Sequence, residues 1–432
     1  MSKARIGTGI DAIPFRLLDT RTTKDATALR SLNRFAEPER SLSLAVAEII
    51  ARVRAEGDEG LIQLTRRFDS FTLTHRTLAL TGPVPRVSAE VARLCAYSLK
   101  NIVAFSKGGI PKNRTLRNQE GARVGEVYHP FRRVGIYVPG GTAPLVSTAL
   151  MTVGIAKAAG VPQIVVCTPP PVDKHLHYAL RASGATEIYQ VGGAQAVAAL
   201  AYGTKTIARV EKIFGPGNGF VVEAKRQVIG AVAVDLLPGP SEIAVVAEEP
   251  ARADFIAADL LAQAEHGSHS RIVFFTPSDK LLAGVVAAIE RQLPLLPRRN
   301  FLDAVLARNA LFVRTRTLAE AVELAEAYAP EHLSLFVKNA PALAAKIRNA
   351  GAVFIGEYSP VSAGDYLAGP SHTLPTGGAG KSFAGLTIDQ FYKRVSHVEY
   401  SKAAIRKAAP LIAALARLEQ LEAHARSAEV RK

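Results

Sequence analysis

Cysteine is scarce in this sequence and tryptophan is absent. Only Cys95 and Cys167 occur among 432 residues, and they lie far apart and outside any Cys-x-x-Cys pair. Disulfide scaffolds, iron–sulfur clusters and cysteine-rich zinc sites all need several closely spaced thiols. The sequence therefore excludes these three classes.

Long apolar runs are missing as well. The longest apolar stretches have the length of a strand and are interrupted by glycine or proline. None approaches the roughly 18 residues that span a bilayer. Residues 1–5 also lack the apolar core of a secretory signal. We therefore expect a cytoplasmic protein with no membrane partner.

Acidic residues are outnumbered by basic ones. The chain has 53 Lys and Arg against 38 Asp and Glu, which gives a net charge of +15. Such a surplus is compatible with a nucleic-acid-binding protein, whose binding would depend strongly on salt and need no metal. However, the basic residues are spread along the chain, and no row of aromatic residues alternates with arginine to stack bases. We expect no nucleic-acid partner and keep this class as the non-enzymatic alternative.

The length and the apolar pattern predict two α/β domains. A chain of 432 residues exceeds what one hydrophobic core usually serves. Residues 44–54 show helical periodicity, whereas from residue 133 short apolar runs alternate with helical segments as far as residue 355, with a restart near residue 241. Such alternation indicates parallel sheets covered by helices on both faces. The predicted fold class is therefore α/β, with two doubly wound Rossmann-like domains and helical N- and C-terminal extensions.

The predicted boundaries follow the changes of pattern. We expect an N-terminal helical region at 1–112, a first α/β domain at 113–239, a second α/β domain at 240–378 and a helical tail at 379–432. A polar, Arg-rich stretch at 113–129 is interpreted as a connection or hairpin, and one long helix is predicted at 402–424. The Gly-, Pro- and Ser-rich segment at 356–385 is predicted to be an ordered loop at a site.

Four glycine-bearing turns follow strand-like runs of the first α/β segment. They lie at 139–141, 192–195, 215–218 and 239–241. Glycine lets the backbone approach a ligand closely at the carboxyl ends of parallel strands, where α/β proteins bind nucleotides. No turn matches Gly-x-Gly-x-x-Gly with an acidic residue about 20 positions on, so the standard dinucleotide fingerprint is absent. Any one of these turns is equally well explained as a tight connection.

Potential metal ligands are concentrated in the second half of the chain. Gln263 and His266 lie three residues apart on a predicted helix, so both side chains project from one face and could bind one metal ion. Asp365 lies in the glycine-rich segment and His424 at the end of the last predicted helix. Nitrogen and oxygen ligands without cysteine suit Zn²⁺, with Mn²⁺ or Co²⁺ as alternatives. Spacing alone does not assemble this set, since each histidine could instead be a surface or capping residue.

Glu331 and His332 are neighbours at a predicted junction between a helix and a strand. An adjacent carboxyl group and imidazole could transfer protons in catalysis. A polar turn without a catalytic role is the alternative interpretation.

Seven ordered motifs resemble those of the histidinol dehydrogenase family. They are GIYVPGGTAP at 135–144, VGGAQA at 191–196, GPGN at 215–218, GPSE at 239–242, QAEH at 263–266, APEHL at 329–333, and GDY at 364–366 together with GPSHTLP at 369–375. The motif usually read as Ala-Gly-Pro-Ser-Glu has Pro238 in its first position here. The resemblance covers essentially the whole chain.

The resemblance implies an enzyme of histidine biosynthesis. It would oxidise L-histidinol through L-histidinaldehyde to L-histidine, reducing two NAD⁺, with one Zn²⁺ per subunit. The implied architecture is an aldehyde-dehydrogenase-like fold in a homodimer with shared active sites. The first α/β domain would bind NAD⁺, the second would carry the zinc and the catalytic residues, and the tail would cross to the partner subunit.

The resemblance also implies roles for individual residues. The catalytic acid/base pair would be Glu331 and His332, and the NAD contacts would be Tyr137, Gln195 and Asn218. Zinc would be bound by Gln263, His266, Asp365 and His424, the last from the partner subunit. Substrate would contact Ser241, Gln263, His266, His332, Asp365, His372, Glu419 and His424.

One alternative within the enzymes stays open. A relative with the same zinc site could oxidise another amino alcohol or a sulfonated alcohol. His372 and Glu419 resemble residues that contact the imidazole and the amine of histidinol, which favours histidinol as the substrate.

Overall fold

The computed structural model describes residues 3–4, 14–30, 39–140 and 144–432. The last residue of the predicted turn at 139–141 and part of the motif at 135–144 lie outside these described residues. Residues 1–2, 5–13 and 31–38 of the predicted N-terminal region also lie outside the described residues.

Strands and helices alternate through most of the chain. The strands are β1 (Lys3–Ala4), β2 (Phe15–Asp19), β3 (Arg114–Arg117), β4 (Arg123–Pro130), β5 (Arg133–Tyr137), β6 (Gln163–Cys167), β7 (Glu187–Tyr189), β8 (Lys212–Phe214), β9 (Ala233–Val234), β10 (Glu242–Ala247), β11 (Arg271–Thr276), β12 (Ala310–Arg314), β13 (His332–Phe336), β14 (Ala352–Ile355) and β15 (Tyr392–Glu399). The helices are α1 (Thr23–Arg30), α2 (Arg40–Glu56), α3 (Asp58–Asp69), α4 (Ala89–Lys107), α5 (Val146–Ala158), α6 (Lys174–Ser183), α7 (Gly193–Tyr202), α8 (Gly219–Gln227), α9 (Ala253–Ala264), α10 (Asp279–Gln292), α11 (Arg299–Arg308), α12 (Leu318–Tyr328), α13 (Ala340–Ala344), α14 (Val361–Tyr366), α15 (Lys402–Leu418) and α16 (Glu422–Glu429).

The first parallel sheet has the strand order β7-β6-β5-β8-β9. Alternate residues of β6 enter two different cores. Val165 and Cys167 pack with residues of α2 and α7, whereas Ile164 and Val166 pack with residues of α4 and α5. Because both faces are buried, the strand is a continuous apolar run and not an alternating one.

The second sheet repeats this order and extends it. Its strands are arranged β1-β2-β12-β11-β10-β13-β14, and all neighbours are parallel except β1 and β2. Ile243 and Val245 pack with α9 and α10 on one face, and Ala244 and Val246 pack with α12 on the other. The prediction of two doubly wound α/β sheets is therefore confirmed.

Both sheets have a switch point beside their first α/β strand. The chain adds strands on one side of β5 and then returns to add β8 on the other side, and β10 and β13 have the same relation. In open α/β sheets the crevice at such a point, outside the carboxyl ends of the strands, is where ligands bind.

Two strands lie in regions where the sequence pattern predicts helices. Strand β2 lies in the region predicted to be helical and pairs with β12 of the second sheet. The stretch at 113–129, interpreted as a connection or hairpin, forms the hairpin β3–β4, and β15, a strand in the predicted helical tail, extends it to three strands. The domain boundaries themselves stay a prediction.

The single C-terminal helix predicted at 402–424 is two helices. The helix is interrupted between α15 and α16. Gln420 has a φ of 60° there and so lies in the left-handed region, which ends a right-handed helix. The two helices pack on each other through Ala413, Ala416 and Ala425. In the described part of the chain, no helix is both long enough and apolar enough to cross a membrane.

Candidate active site

Glu331 lies between α12 and β13, His332 is the first residue of β13, and both are held by the start of β10. The backbone N–H of Glu242 donates to Glu331 Oε2 at 2.8 Å, and His332 Nδ1 donates to the Glu242 carbonyl oxygen at 3.1 Å. Since a carbonyl oxygen only accepts hydrogen bonds, Nδ1 carries the proton of the neutral ring. Nε2 is therefore the nitrogen with a free lone pair.

Burial changes the pKa of both groups in opposite directions. Glu331 and His332 are 5% and 3% exposed. Burial raises the pKa of Glu331 well above its ordinary value and lowers the pKa of His332 to about 4. The imidazole is therefore neutral at pH 7 and able to accept a proton at Nε2, and the Glu331 carboxylate is a stronger base than an exposed one.

Three further predicted residues lie near His332. Asp365, His266 and His372 each act electrostatically on the pKa of His332, Asp365 raising it and the two histidines lowering it. Burial also lowers the pKa of His372, and Asp365 opposes this shift too. The structure thus brings together residues that are separated by up to 106 positions in the sequence.

Gln263 is fully buried in the last turn of α9 without a partner for its amide. Both its Oε1 and its Nε2 lack a hydrogen bond among the described residues. An unsatisfied buried polar atom costs on the order of 1–3 kcal/mol, so a pair of them in one side chain indicates a bound group. His372 Nε2 is a further buried atom of this kind.

The secondary structure at His266 and at Asp365 differs from the prediction. Helix α9 ends at Ala264, so His266 lies just past the helix, where its Nδ1 donates to the Ala262 carbonyl oxygen at 3.2 Å. This bond leaves Nε2 of an exposed imidazole available, which is the usual arrangement in a metal-binding histidine. Asp365 was expected in a loop but lies in the short helix α14, where it is half-buried.

The predicted tail residues are not part of this cluster within one chain. Glu419 and His424 are exposed on the α15–α16 pair. Within a single chain, the described His, Cys, Asp and Glu side chains form no group of three or more that could hold a metal ion. The structure therefore does not bring His424 together with His266 and Asp365 in one subunit.

The predicted nucleotide residues lie at the carboxyl edge of the first sheet. Tyr137 ends β5, and its hydroxyl oxygen accepts a hydrogen bond from the Gly193 N–H at 3.1 Å. Burial raises the pKa of Tyr137 to about 12. Gln195 is buried in the first turn of α7, and Asn218 caps α8 by accepting from the Val221 N–H at 3.2 Å. These side chains surround the switch point between β5 and β8.

Comparison with known proteins assigns the family. A family model described as histidinol dehydrogenase matches residues 32–432. Histidinol dehydrogenase of Geobacillus kaustophilus is 45% identical over 396 residues, which cover 90% of this chain and 93% of the relative. The Vibrio parahaemolyticus enzyme is 41% identical over 397 residues, covering 90% and 92%. The chain belongs to the histidinol dehydrogenase family.

A solved structure supports the same assignment. The crystal structure of histidinol dehydrogenase from Elizabethkingia anophelis superposes with a TM-score of 0.90 at 33% identity, covering 96% of this chain and 98% of that one. Family membership makes the protein an oxidoreductase that acts on an alcohol.

The sequence did not predict two residues that support the candidate site, Glu242 and Asp259. Glu242 lies in a recognised motif, but nothing in the pattern shows that its backbone binds both Glu331 and His332. Asp259 was also missed, although a carboxylate within the apolar run of α9 is a visible signal. Its buried side chain accepts a hydrogen bond from the first residue of α14, at the Val361 N–H.

Proposed function

We propose that this protein oxidises L-histidinol through L-histidinaldehyde to L-histidine, with Zn²⁺ as its resident metal and two NAD⁺ as the oxidants. The observation that carries the proposal is the buried Glu331–His332 pair, whose neutral imidazole keeps its lone pair on Nε2 and lies within electrostatic range of Asp365, His266 and His372. The family assignment supplies the substrate class. A cytoplasmic location stays a prediction.

The residues present fit a zinc ion. Gln263, His266 and Asp365 would hold it from one chain, and His424 of the partner subunit would complete the shell. Oxygen and nitrogen donors of this kind suit Zn²⁺. The amide of Gln263, which has no hydrogen-bond partner among the described residues, would be satisfied as a ligand of the metal. When bound, the zinc would supply an anchor for the amine and the imidazole nitrogen of the substrate.

The first sheet fits a nucleotide. Helix α7 begins at Gly193 without a side-chain cap. The Gly193 N–H is bound to Tyr137, but the next N–H groups of the first turn and the positive end of the dipole would face a phosphate. Tyr137, Gln195 and Asn218 would contact NAD⁺ at this edge. When bound, NAD⁺ would supply the acceptor for hydride in both oxidation steps.

The remaining substrate contacts would orient histidinol. His372 has a buried Nε2 without a partner among the described residues, which suits a bond to the substrate imidazole. Ser241 precedes β10, next to the residue that holds the catalytic pair. Glu419, with His424, would reach the site from the partner subunit and contact the amine.

His332 and Glu331 would divide the proton transfers. In the first oxidation His332 would accept the carbinol proton at Nε2, while Nδ1 stays bonded to the Glu242 carbonyl oxygen and fixes the ring. In the second oxidation the Glu331 carboxylate would remove a proton from the water that adds to the aldehyde carbon. The raised pKa of Glu331 makes it a suitable base for this step.

The direct test is NADH release with L-histidinol and a panel of other amino alcohols and sulfonated alcohols. We expect NADH from histidinol and little from the others. The matched control is His332→Asn, purified in the same way, because activity near the wild-type level in it would come from a contaminating host enzyme. Preference for another alcohol would overturn the histidinol assignment and favour the related enzyme.

A further inference from the structure

A buried ion pair binds the backbone of the loop that follows β8. The side chains of Lys225 and Asp235 are both 0% exposed and contact each other directly. Lys225 Nζ also donates to the Gly215 carbonyl oxygen at 2.9 Å, and Asp235 Oδ2 accepts from the Gly215 N–H at 2.8 Å. Both backbone polar groups of one loop residue are therefore bound by one ion pair.

Gly215 lies at the switch point of the first sheet. It has a φ of 109°, a conformation that favours glycine, and a Cβ there would clash with the carbonyl oxygen of Tyr137. Three residues later Asn218 caps α8, the helix that carries Lys225. Asp235 directly follows β9, so the pair fixes the start of the 215–218 loop between α8 and the end of β9.

Stability alone gives no reason for charges at this position. Moving two charges out of water is costly, and an apolar pair of similar volume is often neutral or stabilising by comparison. What an apolar pair does not supply is a donor and an acceptor aimed at the two polar groups of Gly215. The ion pair thus differs from an apolar pair in that it hydrogen-bonds both backbone groups of Gly215 and so holds the loop in place.

We propose that Lys225 and Asp235 are positioning residues for the nucleotide. They hold the 215–218 loop so that Asn218 and Tyr137 present one fixed surface at the carboxyl edge of the first sheet. This inference rests on the proposed function, because it takes NAD(H) as the ligand of that edge. Neither residue is expected to touch the cofactor.

Two charge-free double variants separate positioning from stability. K225M/D235N keeps an acceptor for the Gly215 N–H, and K225M/D235L keeps no hydrogen bond to Gly215. The measurements are the Kd of NADH from fluorescence titration, the KM values for NAD⁺ and histidinol, the zinc content and the thermal midpoint. The control is R133M/E187L, which removes the ion pair between Arg133 and Glu187 at the opposite edge of the same sheet.

The inference predicts a graded loss of nucleotide binding. The Kd of NADH should rise in the order wild type, K225M/D235N, K225M/D235L, reaching roughly tenfold or more in the last. The KM for NAD⁺ should follow, while zinc content, the KM for histidinol and kcat at saturating NAD⁺ stay near the wild-type values. The control should bind NADH like the wild type, even where its thermal midpoint falls.

Three results would overturn the inference. An unchanged Kd in K225M/D235L would make the pair purely structural. An equal loss of NADH, zinc and histidinol binding, or an equal loss in the control, would indicate general destabilisation. A wild-type chain that binds histidinol and zinc but not NADH would contradict the proposed function directly, and the inference with it.

Discussion

At the residue scale, the chemistry depends on where one imidazole keeps its proton. The carbonyl oxygen of Glu242 accepts from His332 Nδ1, so the opposite nitrogen would be the base in the proposed reaction. Burial keeps the ring neutral and raises the pKa of the neighbouring Glu331 carboxyl. The same buried surroundings thus shift the pKa values of two adjacent groups in opposite directions, and we expect the two groups to take different proton transfers.

Separate substitutions should divide the two oxidations. His332→Asn should slow the oxidation of histidinol, because the proton acceptor is lost. Glu331→Gln should mainly slow the oxidation of supplied histidinaldehyde, because the water is no longer activated. Each loss should be on the order of 10²–10⁴ in rate. Single-turnover measurements with each substrate check this, and unchanged aldehyde oxidation in Glu331→Gln would refute its assigned role.

Substitution of a zinc ligand should remove the metal without unfolding the chain. Asp365→Ala and His266→Ala should each lower zinc occupancy and abolish turnover, since the remaining ligands do not complete the coordination shell. Metal analysis and circular dichroism on the same samples check both parts. His269→Ala serves as the control, because His269 is exposed and near His266 in sequence. Full activity after rigorous metal removal would contradict the zinc assignment.

The sequence suggested candidate zinc ligands, and their roles stay a prediction, but it did not give their local structure or their contacts. The motif around Gln263 and His266 was readable, but its spacing suggested one helix face, whereas α9 ends before His266. The contact of Glu242 with Glu331 joins residues 89 positions apart. Such a contact is decided by the pairing of β10 with β13, which no local pattern contains.

At the element scale, one carboxylate joins the helix of Gln263 to the helix of Asp365. Asp259 Oδ1 accepts from the Val361 N–H at 3.4 Å, and burial raises the pKa of Asp259 to about 6. Val361 is the first residue of α14. The contact therefore sets the position of α14 against α9 near the candidate zinc site.

The raised pKa of Asp259 predicts a pH-dependent stability. In the unfolded chain this carboxyl titrates near its ordinary value of 3.8, below its folded value. Its stabilising contribution is therefore present at pH values below about 4 and is lost as the pH rises through about 6. Asp259→Asn does not titrate, so its stability relative to the wild type should increase by about 2–3 kcal/mol from pH 4 to pH 7.

Denaturant unfolding of the metal-free proteins at several pH values measures this difference. Asp254→Asn controls for the loss of a carboxylate from an exposed position of the same helix. A stability difference between Asp259→Asn and the wild type that does not change with pH would show that Asp259 is ionised with an ordinary pKa in the fold.

Helices and strands could be predicted where their burial produces a recognisable apolar pattern in the sequence. Strands such as β6 and β10 are continuous apolar runs because helices cover both faces. Strand β2 was missed because its pairing with β12 is decided by a partner about 300 residues away. The break between α15 and α16 was missed because it is made by Gln420, a residue type that rarely adopts a positive φ.

At the scale of the whole molecule, the residues with proposed roles lie at opposite edges of the two sheets. Tyr137 and Asn218, two of the proposed NAD contacts, lie at or just after the carboxyl ends of β5 and β8, whereas Ser241 and His332 lie at the start of β10 and β13. With the proposed roles, the rule that open α/β sheets bind ligands at the carboxyl ends of their strands would describe the first sheet and not the second. The α15–α16 pair adds an exposed apolar surface made of Leu411, Leu415, Leu418 and Leu421.

That exposed surface supports a tail that crosses to a second subunit. Each active site would then need both chains, and a two-fold dimer would hold two reciprocal sites. Inactive His424→Ala and inactive His266→Ala proteins should regain activity when mixed under subunit exchange. One site of each heterodimer would be intact and the other doubly altered, so an equal mixture should reach about one quarter of the wild-type activity.

Mass spectrometry of differently tagged subunits verifies the exchange, and each parent protein incubated alone is the control. Activity that stays at the parental level after verified exchange would mean that His424 serves its own subunit or no zinc at all.

The central claim is a four-electron oxidation of histidinol at one site. The most direct measurement is the number of NADH molecules formed per histidinol consumed, with the product identified and an aldehyde trap present in a parallel reaction. The account predicts two NADH and one L-histidine per histidinol, with little trapped aldehyde. One NADH per histidinol, with histidinaldehyde accumulating as the product, would contradict it.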